Sequence, residues 1–445
     1  MHTSAIALLS AAVMLVAATE PRAASALPES AGYGPHPTLP EPQKKKLLPT
    51  MKIAPAEPWR DDEKPQPAEG LQVNVFARDL AHPRNLFVLP NGDVLVAETD
   101  TPDKPDDYKG IKGKITQHTQ KEAGAGHGSA NRLTLLRNAD SDGVAETKSI
   151  FLQGLNSPYG MELIGDTLYV ANTDSLVKVQ YHDGDTQAST PAQKLADLPG
   201  GTINHHWTKS LVASRDGKHL YVGVGSNSNA GENGIDKEKD RADILEVDPT
   251  SGKWRVYASG LRNPAGLALN TDGTLWTSVN ERDDLGDDLV PDYMTSVHAG
   301  DFFGFPYSYY GAHLDPRVQP QNPQLVASAR RPDYALGAHT ACLGLTFSDG
   351  NQLPARFHGG AFVGQHGSWN RSQPVGYRVI FVKFEEGKPV GEPQEVLGGF
   401  RDAQGNARGR PVGVAIDKRG ALLVADDVGG RVWRVTAAAA AANAH

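Results

Sequence analysis

One unit recurs six times along this chain, and that repetition constrains the fold more than any other feature. Each copy opens on a polar pair or turn and runs into an alternating apolar strand. It then turns, typically at Asp-Gly or Asn-Gly, and ends in a second apolar strand closed by small polar residues. The copies are HPRNLFVLPNGDVLVAETD from His82, SPYGMELIGDTLYVANTD from Ser157, HHWTKSLVASRDGKHLYVGVGSN from His205, RNPAGLALNTDGTLWTSVNE from Arg262, HTACLGLTFSDGNQLPARFHGGAFVGQH from His339 and RPVGVAIDKRGALLVADD from Arg410. Their starts lie 48 to 77 residues apart. A propeller blade is a four-stranded sheet of about 40–50 residues, so each interval holds one blade, the longer ones with a loop insertion. The pattern predicts an all-β, six-bladed β-propeller with four-stranded antiparallel blades and a central channel over residues 69–436. Stretches such as Ile244-Leu245-Glu246-Val247, Trp254-Arg255-Val256-Tyr257 and Tyr377 to Val382 supply the outer strands. Glycine (47) and proline (31) exceed their usual share, which favours turns over long helices.

The ends of the chain do not belong to the repeat. Residues 1–26 hold an apolar run from Ala5 to Ala18 followed by small residues, the pattern of a signal peptide, and predict a periplasmic or secreted protein. Residues 27–68 are proline-rich with the run Lys44-Lys45-Lys46 and predict an extended arm outside the packed fold, and 437–445 is an alanine-rich tail. No other apolar stretch reaches the roughly 20 residues of a membrane span. A net charge of -8 argues against nucleic acid or an anionic membrane as partner. The single cysteine, Cys342, has no partner for an internal disulfide, so stability rests on burial.

In a propeller, the loops entering the innermost strands ring one mouth of the channel. Those positions here are His82, Arg84 and Asn85, then Tyr159, His205 and His206, Arg262 and Asn263, His339, and Arg408 with Arg410. Four histidines and four arginines at one mouth suggest a locally basic site for a polyanionic small molecule. Away from it, Asn138, Asp140 and Asp142 with Gly143 and Glu146 have the spacing of the start of an EF-hand calcium loop; an Asp-Gly hairpin turn explains the same residues. The polar insertion from Thr101 to Ala130 reads as a loop over the mouth, with no chemistry of its own.

The strings HHWTKSLVASRDGKHLYVGVG, GLRNPAGLALNTDGTLW, NERDDLGDD followed by AGDFFGFPY, and GRPVGVAIDKRG with VADDVGGRVWRV resemble the glucose/sorbosone dehydrogenase family over roughly residues 70–436. That resemblance implies an oxidoreductase using pyrroloquinoline quinone (PQQ) and calcium (Ca2+). PQQ carries three carboxylates and an ortho-quinone, so its site needs arginine or lysine and a cation or guanidinium near the quinone oxygen. By the resemblance, Arg408 or Arg410 binds a carboxylate, Arg84 adds to the basic ring, and His366 or Arg371 replaces an expected lysine. Arg262 and Asn263 contact the quinone, although Arg262 bonded only to backbone carbonyls would also explain that turn. His206 is the general base and His205 its support, although a pair satisfied by backbone groups explains them too. Calcium is held by the backbone carbonyls of Arg282 and Asp283, or by the side chains of Asp283, Asp284 or Asp287. Pro158 and Tyr159 stand where the family has a glutamine, so substrate contacts differ there, toward an aldose or sorbosone-like sugar. The implied partners are that sugar and an electron acceptor such as a c-type cytochrome, a copper protein or a quinone. Two other readings keep the fold: a calcium-dependent lactonase-type hydrolase, and a non-enzymatic propeller that binds carbohydrate or protein.

Overall fold

A computed structural model describes residues 27–43, 51–107, 109–138, 140, 142–348 and 352–439 of the chain. The proposed signal peptide, the Lys44-Lys45-Lys46 run and the last alanines lie outside the described residues.

Short apolar strands, many buried along their whole length, form sheets that must cover both faces on their neighbours, and six such sheets close into a ring. Blade 1 pairs Pro83–Val88, Val94–Glu98, Arg132–Arg137 and Thr147–Gln153 in that order. Blade 2 pairs Gly160–Ile164, Thr167–Ala171, Ser175–Gln180 and Gln193–Asp197. Blade 3 pairs Lys209–Ala213, Leu220–Val224, Asp243–Val247 and Trp254–Ser259, and blade 4 pairs Pro264–Leu269, Leu275–Val279, Pro291–Val297 and Tyr334–Ala338. Blade 5 pairs Cys342–Ser348, Gly360–Gln365, Arg378–Glu385 and Lys388–Gly398. Blade 6 pairs Pro411–Ile416, Leu422–Asp426 and Arg431–Ala437, and takes its outermost strand, Leu71–Ala77, from the other end of the propeller sequence. All these ladders are antiparallel, and the borrowed strand locks the ring shut. The innermost strand of each blade contacts that of the next all the way round.

The arm departs from the sequence expectation. It is extended, but it is packed. Tyr33–Gly34 adds a fifth strand to blade 4, and Gln66–Pro67 adds one to blade 5. Ala54 and Trp59 are buried with Val73, Phe400 and Trp433 in the core between blades 5 and 6. Proline removes a backbone donor, and such residues suit the outer edges of sheets, where no further ladder bond is needed. The tail likewise keeps Ala437 in the ladder opposite Leu71.

The channel is filled at its middle by Tyr159, Ala265, Leu343 and Val412 from four different blades. Tyr159 donates its hydroxyl to the Leu343 carbonyl at 3.2 Å, and Asn85 Nδ2 donates to the Tyr159 carbonyl at 3.0 Å. Close contact between innermost strands requires glycine at 344, where a Cβ would come within 2.1 Å of the Val412 carbonyl oxygen. Among the described residues no helix is long and apolar enough to cross a membrane.

Candidate active site

First strands leave one end of the channel and second strands return to it. That mouth is therefore ringed by residues that precede each first strand and residues that follow each second strand. The cations predicted there are present, but most of them face acids that stand in the second set or on an insertion.

Asp427, just past the second strand of blade 6, is the centre of one cluster. Its Oδ2 accepts from Arg84 Nη1 at 2.7 Å and from His366 Nε2 at 2.9 Å, and His82 Nε2 lies 3.7 Å away. Burial by itself raises a carboxyl, but His366, His82 and Arg84 outweigh it and hold Asp427 well below the usual carboxylate range. Burial also wins at His366, whose pKa falls to about 4 despite Asp427, so its ring is neutral at pH 7. Arg410, 2 % exposed, stacks its guanidinium 4.8 Å from the Tyr377 ring and donates to the carbonyls of His366 and Ala54.

Asp283 is the centre of a second cluster. Its carboxylate lies 3.3 Å from His339 Nδ1 and 4.0 Å from Arg262 Nη2. His339 Nε2 faces the Gly286 carbonyl at 2.8 Å. A ring with both nitrogens facing acceptors is fully bonded only as the imidazolium. The His339 pKa is accordingly raised, with Asp283 overcoming the effect of burial. A third cluster joins Lys104 and Asp107, from the insertion after the second strand of blade 1, to His205. The local excess of positive charge read from the sequence is thus largely neutralised by three aspartates.

His206 and Asn263 meet over Gly225, where any Cβ would come within 2.4 Å of both the Asn263 Oδ1 and the His206 Cβ. His206 Nδ1 lies 3.0 Å from the Ser226 carbonyl and from Ser226 Oγ. The Oγ proton goes to the Ser228 carbonyl, so His206 donates from Nδ1 and keeps Nε2 as an acceptor. Burial, Arg262 and His205 push its pKa well below 6.5, which keeps the ring neutral. Arg241 anchors this corner by donating to the His206 and Gly225 carbonyls.

The remaining predicted residues are placed as follows. Arg262 donates to the carbonyls of Asn229, Asn280 and Glu281 and to Asn229 Oδ1, which ties four of its five N–H groups into the turn. Arg408 lies in an ion-pair cluster with Glu57, Glu63 and Asp402, apart from the Asp427 cluster. Arg371 anchors the acidic turn through the Asp287 carbonyl at 2.8 Å and Asp288 Oδ1 at 2.5 Å. Arg282 is fully buried against Glu281 and Asp315.

The calcium expectation meets an obstacle at this turn. A carbonyl oxygen has two lone pairs, and that of Asp283 accepts from Arg317 Nη1 at 2.6 Å and from Asn229 Nδ2 at 3.3 Å. The Asp283 carboxylate is held by His339 and Arg262, and the Asp287 carbonyl by Arg371. Asp283, one of the expected ligands, is thus engaged by protein donors at both its carbonyl and its carboxylate, and the Asp287 carboxylate accepts from Ser372. Asp140, Asp142 and Glu146 bring carboxylate oxygens within 4.8 Å of one another. They are fully exposed, on the hairpin at the far end of blade 1 from the mouth, with Asp140 and Asp142 capping backbone N–H groups of the turn. Asn138 begins that hairpin.

PQQ fares differently. Four buried polar atoms around the mouth have no hydrogen-bond partner: Arg84 Nε, His82 Nε2, Arg410 Nε and Asp427 Oδ1. A buried unsatisfied polar group costs about 1–3 kcal/mol, so this concentration marks a place where a polar ligand completes the bonding. The donors among them suit carboxylates and carbonyl oxygens. The sequence reading missed Asp427, Asn370, Asn229, Lys104 and Asp107. Asp427 closes the sixth copy of the repeat and was visible there; the others lie in insertions that carry no periodic signal.

A family model described as a domain of unknown function (DUF7133) matches residues 68–368, and one described as TrAA12-like matches residues 312–438. An uncharacterized protein of Borreliella burgdorferi is 28% identical over 298 residues, which are 63% of this chain and 76% of that protein. A PQQ-dependent pyranose dehydrogenase of Coprinopsis cinerea is 23% identical over 361 residues, 71% of this chain but only 44% of that protein's length. Among solved structures, the holo form of the PQQ domain of the Coprinopsis cinerea pyranose dehydrogenase superposes with a TM-score of 0.68 at 20% identity. It covers 86% of this chain and 100% of that domain. At such identity the likeness establishes the six-bladed fold.

Proposed function

We propose that this chain, which belongs to the DUF7133 family, is a quinoprotein oxidoreductase that binds PQQ at the channel mouth and oxidises a sugar, an aldose or a sorbosone-like compound. The observation that carries the reading is the set of orphaned buried donors around Asp427, in a fold shared with PQQ-dependent sugar dehydrogenases.

PQQ, when bound, would supply an ortho-quinone able to accept a hydride, and with it two electrons, from a sugar carbon. Arg84 and Arg410 would offer their Nε–H groups to its carboxylates. Asp427 keeps Arg84 and His366 oriented. His206 is neutral and has Nε2 free, so it takes the proton of the substrate hydroxyl. Ser226 fixes its tautomer, and Asn263 stands beside it across Gly225. Arg262 shapes the wall of the site through Asn229 and the turn at Asn280 and Glu281. Because the Asp283 carbonyl is already saturated, no metal enters this account. The apolar run in residues 1–26 supports export, and electrons then pass to a cytochrome, a copper protein or a quinone.

Titration of the mature chain with PQQ, once with added calcium and once with a chelator, followed by absorbance, tests the reading. Saturable binding followed by quinone reduction on adding an aldose or sorbosone supports it, and both steps must weaken in Arg410→Ala. Absence of PQQ binding sinks it.

A further inference from the structure

The insertion Thr101–Ala130 reaches the mouth with a short turn, Lys104 to Asp107, and that turn is stitched to the segment before His206. Asp106 donates its backbone N–H to the Thr202 carbonyl at 3.0 Å, and Thr202 Oγ1 returns a bond to Asp106 Oδ2 at 2.5 Å. Lys104 Nζ donates to the His205 carbonyl at 3.1 Å and pairs with Asp107 Oδ2 at 2.9 Å. Asp107 Oδ1 lies 2.8 Å from His205 Nδ1.

Two details set this apart from an ordinary loop contact. The Lys104 side chain is only 3% exposed and that of Asp107 8%, so a charged pair is carried on an insertion and buried at the site. Burying ions is unfavourable unless they are paired and bonded, and both members of this pair bond to His205, Lys104 at its carbonyl and Asp107 at its ring. The His205 ring in turn stands edge-on to His206, with centroids 4.7 Å apart.

We propose that Lys104 and Asp107 are positioning residues that fix the tautomer and orientation of His205 and, through its ring, the placement of His206. The proposal rests on the reading of His206 as the base. Asp107 is ionised, because His205 and Lys104 outweigh the effect of burial and lower its pKa to about 2. It therefore accepts, and His205 carries its proton on Nδ1. His206 is held in the same way by the Ser226 carbonyl, so the two adjacent rings both keep Nδ1–H bonded inward. A carboxylate or carbonyl behind a histidine fixes both tautomer and ring direction. In this chain an insertion supplies the carboxylate from 98 positions away in sequence.

The test compares the full-length wild type with Asp107→Asn, Asp107→Glu and the double variant Lys104→Met/Asp107→Asn. Imidazole NMR of the protein without quinone reports the His205 tautomer directly. Asp107→Asn is expected to shift His205 from the Nδ1–H form to a mixture, while Asp107→Glu keeps it. In turnover with PQQ, Asp107→Asn is expected to lower kcat about 10- to 100-fold with KM changed less than about threefold, the size expected when a base is displaced by about 1 Å. The double variant, which leaves no buried ammonium unpaired, is expected to fold at least as well as Asp107→Asn without recovering kcat. An unchanged His205 tautomer in Asp107→Asn overturns the proposal, as does a kcat within twofold of wild type. The NMR result stands without turnover: a tautomer shift in Asp107→Asn, in a protein whose wild type never reduces the quinone, refutes the quinone reading and leaves the positioning of His205 intact.

Discussion

Arg84 and Asp427 lie 343 positions apart in sequence, yet their guanidinium and carboxylate meet at 2.7 Å across the seam between the first and last blades. The contact exists only because the ring closes. It also joins stability to the site, since the same carboxylate oxygen holds His366. Asp427→Asn removes the charge that compensates a buried Arg84, and loss of one partner of a buried pair costs about 3–5 kcal/mol. Thermal unfolding should show a drop of several degrees, and PQQ affinity should fall with it. A variant as stable as wild type would mean that the seam is held elsewhere.

Arg408 and Arg410 are two residues apart and have different fates. Arg410→Ala deletes an Nε–H with no protein partner, and charge-assisted hydrogen bonds contribute about 1.5–3 kcal/mol, so PQQ binding should weaken about 10- to 100-fold, in addition to the loss of its bonds to the His366 and Ala54 carbonyls. Arg408→Ala loosens a half-open ion cluster of small worth and should leave binding within about twofold. Equal losses in the two titrations would place both arginines at the ligand.

The low pKa of His206 has a sign that can be checked. A base must be unprotonated to act, and burial with Arg262 and His205 favours the unprotonated ring. Activity should therefore persist as pH falls through 6.5 and fail only where His206 itself protonates. kcat/KM measured from about pH 5 to 8 should show no acid limb centred at 6.5 or above. His206→Ala should lower kcat by about 10²–10⁴ while PQQ still binds.

Calcium provides a sharper contrast. With both lone pairs of the Asp283 carbonyl taken by Arg317 and Asn229, a chelator should change PQQ affinity of the wild type less than about twofold. Arg317→Met frees one lone pair and removes a positive charge, and should create a calcium dependence absent from the wild type. A wild type that loses PQQ on chelation would return the metal to this turn.

Trp59 tests the arm. Its indole N–H donates to Asp426 Oδ2 at 2.7 Å, and its ring packs edge-on against Phe400 and Trp433. Trp59→Ala should destabilise the protein by about 3–5 kcal/mol in denaturant unfolding, the cost of a large buried aromatic. A loss below about 1 kcal/mol would show that the arm rests on the propeller without bracing it.

The fold was legible because propeller strands announce themselves locally. Short apolar runs bounded by turn residues mark Val94–Glu98 or Leu422–Asp426 as buried strands without knowledge of their neighbours. The packing of the arm was not legible, because Ala54 and Trp59 are buried by residues hundreds of positions away, and nothing in a proline-rich stretch signals that. The same holds for the site. His206, Arg84 and Arg410 stand at repeat starts, and the repeat itself draws attention to them. Asp107 and Lys104 sit in an insertion whose composition looks like solvent-facing loop, and only the docking of that loop on Thr202 and His205 reveals their place.

By itself the sequence determined the six-bladed ring, the end of the channel that carries polar residues, and the histidines and arginines that stand there, since each follows from a repeat read within a few dozen residues. Tertiary structure alone decided which charges remain available. Arg408 is matched by Glu57, Arg371 by Asp288, and the Asp283 carbonyl by Arg317, whereas Arg84 Nε and Arg410 Nε are left without partners. The reason is physical: a charge acts through what it touches, and in a closed ring those neighbours come from the far ends of the chain.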